Sequence, residues 1–210
     1  MSLGNFEIYG GVFIYLSSWF FSGKIKGVFM FNLKDKVMYP GHGVAVIEET
    51  MEKVVGDRSL KLFKLKFLFK DTTILLPFEN INACCIRSLC DTQTIKKIFV
   101  YFYKPFDKKF DYVDFTPSGW NRRNKDYQLK LQSGKIEDVA YVYKDLMTVA
   151  QQKELSFGEK KILIAAEDLL IQEIQVVTAQ TAHSVQEQLQ APFKQFLFTQ
   201  PAIRPLSSAI

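Results

Sequence analysis

A chain of 210 residues with 27 Lys/Arg against 22 Asp/Glu has room for one large domain or two small ones and carries a formal charge of +5, compatible with nucleic acid without requiring it. Its three cysteines, Cys84, Cys85 and Cys90, exclude a complete disulfide framework, and His42 and His183 stand far from them, so neither zinc nor any other cofactor is expected. A reducing, cytoplasmic setting fits this cysteine usage.

Residues 1–29 are a poorly patterned N-terminal extension. Ile8 to Gly23 is uncharged and aromatic-rich, but Gly10, Gly11, Ser17 and Ser18 interrupt it. The run is shorter than the roughly 20 apolar residues of a spanning helix. Glu7 is the only charge before it, so it lacks the basic leader of a secretory signal. Stable membrane insertion is not expected. Met30 stands directly before the first orderly pattern, which leaves open a start at Met30, an appended strand or a membrane-touching peptide.

Residues 30–90 read as a small, strongly twisted β domain. Val37–Tyr39 and Val44–Ile47 flank Pro40–Gly41–His42–Gly43, where proline and two glycines permit a tight bend. His42 has no catalytic companion at a persuasive spacing and reads as a local hydrogen-bonding or packing residue. Phe63, Leu65, Phe67 and Phe69 alternate with Lys64, Lys66, Leu68 and Lys70, so period two puts the aromatics on the core face. Lys70–Asp71–Thr72 turns the chain and Thr73–Leu76 returns it before Pro77. A sheet this small leaves strand edges open to a partner. With no glycine-rich phosphate loop, metal cluster or nucleophile elbow, an enzyme is not expected.

Residues 91–178 read as a helical domain. Asp91–Tyr103 carries a stripe of Ile95, Ile98, Phe99 and Phe102. Lys104–Pro117 is an ordered, aromatic-rich loop. A helix then opens at Ser118–Gly119–Trp120–Asn121–Arg122–Arg123–Asn124–Lys125, with Ser118 as its expected cap, and runs to about Gln132. From Lys96 to Lys130 there are nine Lys/Arg against four acids, a local +5 equal to that of the whole chain. An apolar plate followed by cations at a helix start can hold phosphates while setting a ring against a base step. A core tryptophan beside a solvated basic face fits the same residues, and both readings stand here. After the Ser133–Gly134 break, Ile136, Val139, Ala140, Tyr143, Leu146 and Ala150 repeat at helical spacing. Ser156–Phe157–Gly158–Glu159 is a capping box. It opens a helix with Leu163, Ala166, Leu170, Ile174 and Val177 on one side, broadened by Ile162, Ala165 and Leu169. Ala182–Gln190 could extend a helix, but residues 179–210, punctuated by Pro192, Pro201 and Pro205, read as a mobile or loosely attached tail. That tail could offer Phe193, Phe196, Leu197 and Phe198 to a partner.

Two groups of motifs make the chain resemble the CarD/CdnL family of bacterial RNA-polymerase-binding transcription regulators. One is Asp35–Lys36–Val37–Met38–Tyr39–Pro40–Gly41–His42–Gly43–Val44 with Leu76–Pro77–Phe78–Glu79–Asn80 and Ile86–Arg87. The other is Trp120–Asn121–Arg122–Arg123–Asn124–Lys125 with Ser133–Gly134 and Leu155–Ser156–Phe157–Gly158–Glu159–Lys160. The resemblance spans about Phe31 to Val177 and implies an α+β protein, a Tudor-like curled sheet followed by a compact all-α domain. It further implies docking of the first module on the β subunit of RNA polymerase and contact of the second with promoter DNA at the upstream edge of the bubble. Trp120 would be the wedge in the minor groove, with Arg122, Arg123 and Lys125 on the DNA backbone, so that the open complex is stabilised largely without regard to sequence. The protein would then be cytoplasmic and nucleoid-associated through polymerase. Lys53 keeps a basic residue where a relative sets one against the β subunit, whereas Leu75 occupies another such position. Cys84–Cys85 stands where the family commonly has a small glycine. A protein–protein adaptor that docks on polymerase without touching DNA is the competing expectation.

Overall fold

The structure, a computed structural model, describes residues 7–9, 12–14, 31–55, 58–104 and 116–196. Two compact units divide at Leu89/Cys90, inside the Ser88–Thr92 segment where the sequence pattern changes. The first is Met1–Leu89 together with Gln132–Gly134, and the second is Cys90–Leu131 together with Lys135–Ile210. The architecture is α+β, a small sheet followed by helices.

Among the described residues the β unit holds seven strands: β1 (Glu7–Tyr9), β2 (Val12–Ile14), β3 (Lys36–Tyr39), β4 (Gly43–Val55), β5 (Arg58–Phe67), β6 (Thr73–Pro77) and β7 (Arg87–Ser88). Their order across the sheet is β1-β2-β6-β5-β4-β3-β7. Neighbours from β6 to β7 pair antiparallel, whereas β2 lies parallel to β6 with Ile14 in register with Leu75. Part of the N-terminal extension is thus appended strand, as one of the three readings had it. The β3–β4 bend needs its glycines, with Gly41 at φ +72° and Gly43 at φ +109°. His42 is used locally there: its Nδ1 lies 3.1 Å from the Pro40 carbonyl and its ring packs edge-on to Tyr39.

Alternation along β5 buries Phe63, Leu65 and Phe67 against Val37, Tyr39, Ala45, Ile47, Ile74, Leu76 and Ile86. Each such side chain contributes about 1.5–3 kcal/mol on burial. Phe69 departs from the expected core face. The strand ends at Phe67, so Leu68 and Phe69 fall in the following bend and are exposed. A register shift at Glu48 bends β4, and Lys64 across the pair holds Glu48 at 2.9 Å. Cys85 adopts φ +51°, the left-handed region that glycine enters without cost.

The helical unit contains α1 (Thr92–Tyr103), α2 (Pro117–Leu131), α3 (Ile136–Ala150), α4 (Phe157–Thr178) and α5 (Ala182–Phe196). Asp91 caps α1 by accepting from the Thr94 amide at 2.7 Å. Helix α4 packs against each of the other four. Its buried stripe is Ile162, Ala166, Leu169, Leu170 and Ile174, while Ala165 faces solvent and Leu163 and Val177 lie at the margin. On α3, Val149 rather than Ala150 closes the buried stripe.

The expected loose tail is corrected through Phe196. Val185, Leu189 and Phe193 recur every fourth residue and make one buried face of α5, which a run of glutamines and Pro192 obscured. Phe193 packs on Phe102 and Tyr143 at ring separations of 5.8 and 5.7 Å, so it is core rather than a partner-binding side chain. Leu197, Phe198 and the aromatics of residues 105–115 lie outside the described residues.

Candidate nucleic-acid interface

The cap of helix α2 (Pro117–Leu131) lies two residues earlier than the sequence suggests. Pro117 occupies its first turn, where its missing N–H costs nothing. Thr116 rather than Ser118 supplies the cap, accepting from the Gly119 amide at 3.2 Å. Ser118 is turned toward Thr116, oxygen to oxygen at 3.0 Å.

Helical spacing then places Trp120, Arg123, Tyr127 and Leu131 along one stripe. The stripe grades from inside to outside. Leu131 and Tyr127 are buried, Arg123 is largely covered, and Trp120, at the open N-terminal end, is half-buried. The indole is neither sealed in the core nor free of it.

Its seat is Gly158, the second residue of α4. A Cβ at that position would lie 2.9 Å from the Trp120 Cζ2, closer than side-chain carbons pack. The benzo edge of the indole therefore rests on bare backbone, and only glycine leaves room for it.

One residue on, Glu159 holds the two helix starts together. Its carboxylate is 3 % exposed, and Arg123 of α2 reaches it at 3.8 Å while Lys153 reaches it at 2.8 Å. Ser156 donates to the same group from its backbone amide at 2.8 Å and from its hydroxyl at 2.9 Å. Burial pushes the Glu159 carboxyl upward, but the bonds from Lys153 and Ser156 outweigh it and hold the group below the usual carboxylate range. Farther along the stripe the Tyr127 hydroxyl donates to the Asp145 carboxylate of α3. Burial first, and Asp145 second, push that phenol far above its ordinary value.

The four predicted DNA-contacting residues thus separate into three kinds. Trp120 is an edge-of-core ring with part of its surface outward. Arg122 and Lys125 are exposed on the outer face of α2. Arg123 is 17 % exposed and turned inward to Glu159. Sequence shows a charge at each position but not its direction, and the stripe through Trp120 and Tyr127 was the signal that placed Arg123 inside.

In the β unit Lys53 is exposed on β4, opposite Leu60 of β5. Leu75 is buried and in register with Ile14 of β2.

Sequence reasoning missed Lys144. Its buried ammonium donates to the Tyr101 and Lys104 carbonyls, each at 2.7 Å, and so closes the C-terminus of α1. Among the described residues no cluster of three or more His, Cys, Asp or Glu could hold a metal. None of the described helices is long and apolar enough to cross a membrane.

Comparison with known proteins matches both units in order. Residues 31–90 match the CarD-like/TRCF RID domain, and residues 112–190 match the CarD C-terminal domain. A protein of Bacillus subtilis (strain 168), YdeB, named as a candidate transcription factor, is 28 % identical over 156 residues, covering 74 % of this chain and 97 % of its own length.

Proposed function

The chain belongs to the CarD/CdnL family of transcription regulators, and we propose that it binds the RNA polymerase β subunit through its β unit and promoter DNA through its helical unit. The observation that carries the DNA half is the Trp120 ring, held at the rim of the helical core by Gly158 with exposed Arg122 and Lys125 on the same helix. An apolar ring recovers contact energy only where bases are already unstacked, at the upstream edge of a melted bubble. Exposed cations hold the phosphate backbone and choose no sequence.

The protein would then distinguish a state of DNA. A ligand shifts an equilibrium only by its differential affinity for the two states. Each tenfold shift of the closed-to-open equilibrium corresponds to about 1.4 kcal/mol of preference for melted over closed duplex. No catalytic step is involved, and the protein would be cytoplasmic, carried to the nucleoid by polymerase.

On the polymerase side, β2 lies along the β6 edge and Leu75 is covered, so docking falls to Lys53 and to sheet surface away from β6. Arg123 holds α2 to α4, and the phosphate contacts are left to Arg122 and Lys125.

Affinity for promoter DNA in the polymerase complex, measured against salt, tests this reading. Arg122→Ala and Lys125→Ala should each lower the slope of log K on log salt by about 1. An unchanged slope for both would favour the adaptor that docks on polymerase without touching DNA.

A further inference from the structure

We infer that Phe157 is a second apolar contact to the same partly unstacked DNA step, working beside the Trp120 ring. The inference rests on the reading that the start of α2 meets promoter DNA.

Phe157 is the first residue of α4 and is 86 % exposed, while the residues after it turn inward: Gly158 under the indole and Glu159 into its buried ion pairs. An isolated exposed apolar side chain needs no explanation. The placement of this one does. Its backbone is fixed by the capping box of Ser156 and Glu159, so the ring stands on a rigid turn. The neighbouring Gly158 carries the Trp120 indole, and consecutive Cα atoms lie about 3.8 Å apart. Two aromatic side chains therefore leave the unit from adjoining points, one half-covered and the other almost fully in water.

Their surroundings select the occupant. Arg122 and Lys125 on α2 and Lys161 on α4 are exposed nearby in sequence, and the nearest acids are engaged, Glu159 with Arg123 and Lys153 and Glu154 with Lys160 at 2.8 Å. Both rings also stand in the first turn of a helix longer than ten residues, the end that favours anions. Aromatic rings set among cations match bases flanked by phosphates, and stacking on such a ring is sequence-tolerant.

The test uses the full chain with RNA polymerase on a promoter. Phe157→Ser should shorten the open-complex lifetime about tenfold with thermal stability unchanged, and Phe157→Tyr should restore it. Phe157→p-benzoylphenylalanine should photocrosslink to DNA at the upstream bubble edge. If Phe157→Ser keeps the parent lifetime while Trp120→Ala loses it, the inference is wrong and the DNA reading survives. A crosslink only to a polymerase subunit would assign Phe157 to protein and likewise overturn the inference. If neither single variant changes the lifetime, the DNA reading fails and takes the inference with it.

Discussion

Gly158→Ala isolates the seat of the indole from the indole itself. The added Cβ would stand 2.9 Å from the Trp120 Cζ2, whereas ordinary contacts begin at 3.4 Å, so the ring must move by about 0.5 Å. Two effects on stability oppose each other. Alanine is favoured over glycine by up to about 1 kcal/mol in a helix interior and by less in a first turn. Overpacking a closed core costs about 1–3 kcal/mol, but this ring lies at the rim of the core and is only partly covered, so the cost falls toward the low end. We expect net stability within about 1 kcal/mol of the parent in urea unfolding. The displaced ring should still give a redshifted emission in a Trp19→Phe background and a several-fold shorter open complex. Unchanged emission together with an unchanged lifetime would refute the seat.

The Glu159 junction and the Lys144 cap give two further tests. Glu159→Gln keeps a side chain that can serve the capping box but removes the charge facing Arg123 and Lys153, and should cost about 1–3 kcal/mol in urea unfolding. The Glu159 carboxyl sits below its ordinary value of 4.5, so its contribution is complete above that pH and is lost as pH falls through the folded-state value. An acid titration of stability should therefore be shallower in Glu159→Gln than in the parent. Lys144→Met removes both bonds to the α1 carbonyls and should lower stability by about 2–3 kcal/mol, measured by urea unfolding, without altering the salt slope of DNA binding.

What was legible in the sequence was local. Alternation from Phe63 to Phe67 gave the core face of β5 because a strand repeats every two residues, but where the strand stops depends on the turn that follows, and Phe69 lies beyond it. The Ser156–Glu159 box was readable because both bonds close within one turn. What Glu159 does besides, pairing with Arg123 from another helix, depends on how α2 lies on α4, and no spacing along the chain encodes that. The face of α5 was present at Val185, Leu189 and Phe193, but Pro192 signals a break more loudly than three apolar residues signal a helix. Trp120 was recognised as a motif residue, whereas its half-covered pose needed Gly158, a glycine that looks like an ordinary member of a capping sequence.

The dissociation lifetime of competitor-resistant promoter complexes, compared between the parent protein and Trp120→Ala, bears most directly on how this protein works. The ring should account for most of the stabilisation, so Trp120→Ala should bind polymerase as the parent does while complexes decay nearly as fast as with no regulator added. A Trp120→Ala protein that binds polymerase and preserves the full lifetime would contradict the wedge.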